Sequence, residues 1–198
     1  MIVIGLTGGI AMGKSEVAKI LASDGIPVFD SDLEVHRLYD SGDGGKLIAD
    51  IAPAAISNGK VDRHQLASIV VAQPALLGEL EKRVHAEIRR RRLGFIAEEE
   101  AKGTVMVAVD IPLLFETGAE RDVTTTVVVS ARSELQRERA LKRPGMTPEK
   151  LALILQRQMP DDEKRRRADH VIETNGSLEE LSQRVHDVVR KIRKGNSR

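Results

Sequence analysis

Cysteine and tryptophan are absent from this 198-residue chain, and three phenylalanines and one tyrosine are its only aromatic side chains. Without cysteine there is no disulfide, no thiolate zinc site and no cysteine nucleophile, a composition that fits a reducing compartment. Phe29, Tyr39, Phe95 and Phe115 are too few for a protein that stacks bases along a single strand. No apolar run approaches the ~18–20 residues that a bilayer-spanning helix needs. The opening Met1-Ile2-Val3-Ile4-Gly5-Leu6 has no cationic leader and reads as mature structure rather than a signal peptide. Charge of one sign is lacking too: 31 Lys+Arg against 30 Asp+Glu leave a net +1. That balance argues against a nucleic-acid coat or a polybasic membrane anchor. What is present, 41% hydrophobic and 31% charged residues, suits one α/β domain with insertions or two small domains. The expectation is a globular cytoplasmic protein with neither membrane nor nucleic acid as a partner, its oligomeric state open.

The apolar segments alternate strand with helix. Ile2-Val3-Ile4 is β-branched and continuous, as in a strand buried on both faces. Gly8 and Gly9 interrupt it, and a helix is expected from about Lys14, with Val17, Ile20 and Leu21 at helical spacing and Gly25 after its end. Ile26-Pro27-Val28-Phe29 forms a second strand, closed by Asp30-Ser31-Asp32. Strand, glycine loop, helix and strand make a βαβ unit, hence a parallel sheet. The polar, helical stretch that follows is too long for a crossover and reads as an insertion over 36–102, mainly 60–100. In it Asp62 and Gln65 pattern as a capping pair, Pro74 as a helix opener, and Leu77, Leu80, Val84, Ile88 and Phe95 as one apolar stripe. Strands are predicted again at 104–110, 124–129 and 170–172. A helix over 133–142 ends at Pro144-Gly145, and Thr147-Pro148 restarts another. Ser177 and Glu180 cap a last helix carrying Leu178, Leu181, Val185, Val188 and Ile192 on one side, with Lys194 to Arg198 as a frayed tail.

The run Gly8-Gly9-Ile10-Ala11-Met12-Gly13-Lys14-Ser15 satisfies G-x-x-x-x-G-K-[ST] in full. Four intervening residues let the backbone wrap a phosphate with successive N–H groups turned inward, and the helix that follows offers its positive end. Lys14 then reaches the β and γ phosphates and the Ser15 hydroxyl ligates Mg²⁺. The strand–loop–helix context is the one this chemistry demands, so the chain is expected to bind a nucleoside triphosphate.

Asp30 and Asp32 follow the second strand on the edge where parallel sheets bind ligands, and one of the pair suits a base for an attacking hydroxyl while the other caps the next helix. Asp110 ends an apolar strand in the manner of a Walker B acid and is placed to hold the Mg²⁺ shell through water. Glu116 reads either as a further site residue or as a solvated one. Residues 137–167 carry ten basic side chains against five acidic ones, with Arg139 and Arg143 four apart on one helix face. An arginine-rich lid that closes onto the phosphoryl group fits this excess. Arg89 to Arg92 read as a solvated helix face, and His85 flanks the apolar stripe of its helix, either as a structural residue or as a substrate contact.

Taken together, these residues resemble the dephospho-coenzyme A kinase family over essentially the whole chain. The resemblance is carried by Gly5-Leu6-Thr7-Gly8-Gly9-Ile10, Asp30-Ser31-Asp32, Val84-His85 and Asp110-Ile111-Pro112-Leu113-Leu114-Phe115-Glu116. It continues through Gln136, Arg139 and Arg143 to Ala168-Asp169-His170-Val171-Ile172 with Asn175-Gly176. It implies a P-loop NTPase-type α/β fold whose parallel sheet is flanked by helices, with a core over 1–35, 103–142 and 161–198. It also implies a CoA-binding helical insertion and a small lid over 143–160. The implied reaction transfers the γ-phosphoryl of ATP to the ribose 3′-hydroxyl of dephospho-CoA, with ATP and Mg²⁺ as cofactors. By matching position Asp32 is the base and Arg139 the lid arginine. Gly9, Ala11, Met12, Gly13, Lys14, Ser15, Glu16, Arg143 and Asn175 form the nucleotide set, and Asp32, His85, Asp110 and Leu114 the acceptor set. Ala11-Met12 replaces a frequent Gly-Ser pair with little loss expected, because the loop works through its backbone, and Ser31 replaces an alanine isosterically. Two other readings stay open on residues alone: a P-loop kinase of a nucleoside or shikimate-like metabolite, and a nucleic-acid binder using Arg89–Arg92 and Lys164–Arg167.

Overall fold

The structure, a computed structural model, describes residues 1–195. In chain order it contains β1 (Ile2–Thr7), α1 (Lys14–Ser23), β2 (Val28–Asp30), α2 (Ser31–Tyr39), α3 (Gly42–Ile48), β3 (Ile56–Ser57), β4 (Lys60–Val61), α4 (Arg63–Ala72) and α5 (Ala75–Ala101). It continues with β5 (Met106–Asp110), β6 (Thr125–Ser130), α6 (Ser133–Leu141), α7 (Pro148–Arg157), α8 (Asp161–Arg167), β7 (His170–Glu173) and α9 (Leu178–Gly195). The chain divides into two compact units, Met1–Phe29 with Glu99–Arg198, and Asp30–Glu98.

In the first unit five strands form a sheet in the order β2-β5-β1-β6-β7. β1 runs parallel to β5 and to β6, and β6 runs parallel to β7. Both neighbours of β1 come later in the chain, so the order reverses there. In parallel sheets such a switch point leaves a crevice at the carboxyl ends of the strands. β1 and β5 are almost wholly buried, which is why their sequences are continuous apolar runs rather than alternations. Val17 and Leu21 of α1, and Leu181, Val185, Val188, Val189 and Ile192 of α9, pack with Ile4, Leu6, Met106, Ala108, Val127 and Val129 into one core. Leu178, read from its spacing as part of that stripe, opens α9 and is exposed, and Val189 fills the stripe instead. The Ser177–Glu180 capping box is reciprocal: the Glu180 amide donates to the Ser177 hydroxyl (3.2 Å) and the Ser177 amide to the Glu180 carboxylate (3.0 Å). Lys194 and Gly195, expected within a frayed tail, are helical in α9; Asn196, Ser197 and Arg198 lie outside the described residues.

The second unit is helical apart from one hairpin. Asp62 caps α4 by accepting from the His64 and Gln65 amides, both at 3.0 Å. Leu80, Val84 and Ile88 supply the buried face of α5. The hairpin of β3 and β4 was not read from the sequence, although Asn58-Gly59, both left-handed (φ 51 and 77), is the strongest short hairpin signal there is. α8 was missed as well. Its Asp-Asp-Glu-Lys-Arg-Arg-Arg run has no apolar periodicity, but acids fill its first turn and bases its last, which suits the helix dipole.

Candidate active site

The loop after β1 is shaped by close approach. A Cβ at Gly8 would collide with the Val129 carbonyl oxygen of β6, so only glycine lets the chain turn there. Gly13 caps α1 in the left-handed region, φ 89, with the Thr174 side chain packed beside it. Ala11 shares that region at φ 59, which costs a residue with a Cβ about 1–2 kcal/mol. The replacement of a Gly-Ser pair by Ala11-Met12 is therefore not free. It is offset by packing: the Ala11 methyl is buried with Ala140 and Leu151, and the Met12 sulfur accepts from the Ala131 amide.

Lys14 and Asp110 form a salt bridge with side chains 15% and 6% exposed. The β5 register explains the meeting, since Asp110 lies opposite Leu6 one residue before β1 ends. The Ser15 hydroxyl is exposed in the first turn of α1. A serine hydroxyl and a carboxylate are hard oxygen donors of the kind Mg²⁺ takes when phosphates supply most of its other ligands, so the donor set fits that ion. Among the described residues no cluster of three acidic or histidine side chains forms an all-protein cage.

The loop is gripped from outside its own motif. The Gln136 amide of α6 donates to the Ile10 carbonyl (2.9 Å), and the Gln158 side-chain carbonyl accepts from the Ile10 N–H (3.0 Å). The Thr174 hydroxyl donates to the Met12 carbonyl (2.8 Å). Arg139, expected as the lid arginine, lies in α6 and donates to both the hydroxyl and the carbonyl of Thr174, each at 2.8 Å. Of the remaining nucleotide set, Asn175 accepts from the Arg132 amide (2.8 Å), Glu16 pairs with Lys19 on the surface, and Arg143 is exposed in the turn after α6. α7 fills most of the 143–160 segment. Its Leu151 is buried against the loop's Ala11 and against Ala140, with Ile10, Leu141 and Met146 around them.

Several sequence expectations change here. Leu114, expected to touch the acceptor, is fully buried beside Gly5 and acts through packing. Glu116 is neither a solvated residue nor an exposed site group. It accepts from the Met159 amide (2.8 Å) and pairs with Lys164 (2.8 Å), which is 0% exposed and also donates to the Pro112 carbonyl. Lys164 is thus unavailable to nucleic acid. Asp169 holds the start of β6, accepting from the Thr126 amide and hydroxyl, both at 2.8 Å. Burial pulls its pKa up, but those hydrogen bonds outweigh it and the carboxyl stays below its ordinary range.

In the second unit, the extended backbone ends at Asp30, which caps α2 by accepting from the Leu33 amide (2.9 Å). Asp32 lies in the first helical turn with its side chain exposed, so the pair divides into one cap and one free-facing carboxylate. Ser31 matches alanine in size but not in chemistry, because its hydroxyl is buried and unpaired. Arg89–Arg92, expected as a solvated face, is split: Arg89 and Arg90 are exposed, but Arg91 and Arg92 are not. Arg91 pairs with Glu87 (2.9 Å), Asp43 (3.4 Å) and Glu34 (3.6 Å), and Arg92 is only 4% exposed. The helix turns successive arginines through about 100° each, so a run of four must face several directions. His85 is exposed on α5.

A family model for dephospho-CoA kinase matches residues 2–180 of the chain. The chain is 48% identical over 189 residues to the dephospho-CoA kinase of Brucella melitensis, covering 96% of this chain and 94% of that one. It is 46% identical over 193 residues to that of Rhizobium etli, covering 98% and 95%. Among solved structures it resembles a dephospho-CoA kinase from Campylobacter jejuni with a TM-score of 0.73, 27% identity and 98% of each chain covered. A shikimate kinase from Acinetobacter baumannii shares the fold alone, at a TM-score of 0.57 and 17% identity with 100% of this chain and 96% of that one covered.

Proposed function

The chain belongs to the dephospho-CoA kinase family, and from that premise we propose which residues carry its reaction. The protein phosphorylates dephospho-CoA with ATP in coenzyme A synthesis: the γ-phosphoryl group passes to the ribose 3′-hydroxyl, leaving CoA and ADP. This family assignment displaces the readings as a nucleoside or shikimate-like kinase. The observation that carries the site is the glycine-turned loop with Lys14 at its end, at the switch point of a parallel sheet.

Little covalent work falls to the protein in phosphoryl transfer; positioning and charge neutralisation dominate. The loop amides and the Lys14 ammonium hold the triphosphate tail. Asp110 pairs with the Lys14 ammonium and directs it. Ser15, with Asp110, would hold Mg²⁺, which would offset phosphate charge there. Asp32, exposed in the first turn of α2, accepts the proton of the 3′-hydroxyl as its oxygen attacks. The 30–98 unit binds the CoA moiety, with His85 as a contact, and the 143–160 segment with Arg143 closes over the nucleotide to exclude water. Arg139 stands behind the loop on Thr174, and Asn175 orders the turn next to the base of the nucleotide. A cytoplasmic location fits these water-soluble substrates; among the described residues no helix is long and apolar enough to cross a membrane.

Asp32→Asn tests the base. It is expected to lower kcat by about 10²–10⁴-fold in a coupled ADP-release assay with dephospho-CoA, with ATP affinity unchanged. Near-normal turnover removes Asp32 from that role.

A further inference from the structure

We infer that three side chains outside the loop motif, Gln136, Thr174 and Gln158, set the direction of the loop's peptide groups and so decide which N–H groups meet the triphosphate. The inference rests on the loop being the ATP site. A peptide unit is planar and trans, so its C=O and N–H point to opposite sides. Gln136 donates to the Ile10 carbonyl at 2.9 Å and holds it toward α6. The N–H of the same peptide, that of Ala11, is thereby turned away from α6. Thr174 donates to the Met12 carbonyl at 2.8 Å, which turns the Gly13 N–H away from the end of β7 in the same manner. Ala11 and Gly13 are both left-handed, φ 59 and 89, as in the backbone nests whose successive N–H groups converge on an anion.

The direction of the Thr174 proton follows from its partners. Arg139 has only donors and approaches the hydroxyl at 2.8 Å, so it takes the oxygen's lone pair. The hydroxyl's single proton is left for the Met12 carbonyl. Arg139 thus acts through Thr174 on the loop, and is a positioning residue in this arrangement. Gln158 does the opposite work: it accepts from the Ile10 N–H at 3.0 Å and withdraws that donor from the phosphate side. It also closes α7, so the loop's outer edge is tied to the end of the 143–160 segment.

The test is titration calorimetry of ATP with magnesium, without acceptor, on the full chain and on Thr174→Val, Thr174→Ser and Gln136→Met. Valine keeps the shape of threonine and removes the hydroxyl; methionine keeps the length of glutamine and removes the donor. Thr174→Val and Gln136→Met are each expected to weaken ATP binding about three- to tenfold, as one lost hydrogen bond does. The KM for dephospho-CoA should stay unchanged, and Thr174→Ser should restore ATP affinity. A general loss of structure would move both substrates together and would not be rescued by serine. Wild-type affinity in Thr174→Val and Gln136→Met, or equal losses in Thr174→Val and Thr174→Ser, overturns the clamp. If Thr174→Val fails to fold, Gln136→Met decides alone, from a different helix. Absence of ATP binding by the unaltered chain overturns the nucleotide reading beneath it.

Discussion

The sheet unit and the helical unit both bury aliphatic cores but add different polar ties to them. Around the phosphate loop, the partners are buried aliphatic side chains and neutral hydrogen bonds: Val17, Leu21 and Val185 below the sheet, and Gln136, Gln158 and Thr174 on the loop. In the 30–98 unit buried Leu38, Ile48, Leu66, Leu80, Val84 and Ile88 form the core, and arginines add ties between and along the helices. Arg63 reaches Asp40 (3.0 Å), Arg83 reaches Asp50 (2.6 Å) and Glu79 (2.9 Å), and Arg91 joins α5 to α2 and α3. Burying a Leu or Val contributes about 1.5–3 kcal/mol, whereas an exposed ion pair contributes about 0.2–1 kcal/mol. The phosphate loop is therefore held by buried packing and neutral hydrogen bonds rather than by exposed ion pairs. That suits a site whose amides must already face the developing charge when it forms. The sheet unit also buries two charge pairs, Lys164–Glu116 away from the loop motif and Lys14–Asp110 at its end.

The sharpest way to break this comparison is Lys14→Ala. If the Lys14–Asp110 pair is there for phosphoryl transfer, turnover falls about 10²–10³-fold in the ADP-release assay. Retained turnover would make it a structural pair like those of the helical unit. Arg91→Met is the converse test. Its three acidic partners are at most partly exposed or sit at longer range, so the loss expected in urea unfolding is about 1–3 kcal/mol, between the exposed and buried cases. The effect should shrink in high salt, and ATP affinity should not move. Glu87 adds a pH arm. Its hydrogen bond from Arg90, then that from Arg91, holds its pKa down to about 2 from an ordinary 4.5. A depressed carboxylate stabilises fully above its ordinary value and loses that contribution as pH falls through about 2. Acid unfolding of Glu87→Gln should lose part of its pH dependence in that window; an unchanged acid transition would separate the network from stability.

The same division explains what could be read from sequence. β1, the loop and α1 were legible because a phosphate cradle demands local spacing, and the Thr147 and Ser177 caps because they act within one turn. Asp30 and Asp32 could be paired, but not sorted, until the strand was seen to stop at Asp30. The contacts of Gln136, Gln158 and Thr174 span 126, 148 and 162 residues, and nothing near those positions announces them. Lys164 was open to reading with Arg165–Arg167 as a nucleic-acid contact, since burial of that one cation depends on an acid 48 residues earlier, Glu116. The Asn58-Gly59 hairpin was legible and was overlooked because the surrounding pattern is helical.

The smallest effect sharpens the comparison most, because it sets backbone strain against packing at one methyl group. Ala11→Gly relieves a left-handed alanine, a gain of about 1–2 kcal/mol. It removes one methyl from the cluster with Ala140 and Leu151, a loss of about 0.8 kcal/mol, and it frees the unfolded chain by about 0.5–1 kcal/mol. The terms nearly cancel, so the unfolding free energy should stay within about 0.5 kcal/mol of the parent. ATP affinity should also hold, since Gln136 still fixes the Ile10–Ala11 peptide. A large destabilisation would show that the methyl anchors α7 to the loop more strongly than its area implies. A large gain would show that the sheet unit carries uncompensated strain at its reactive edge.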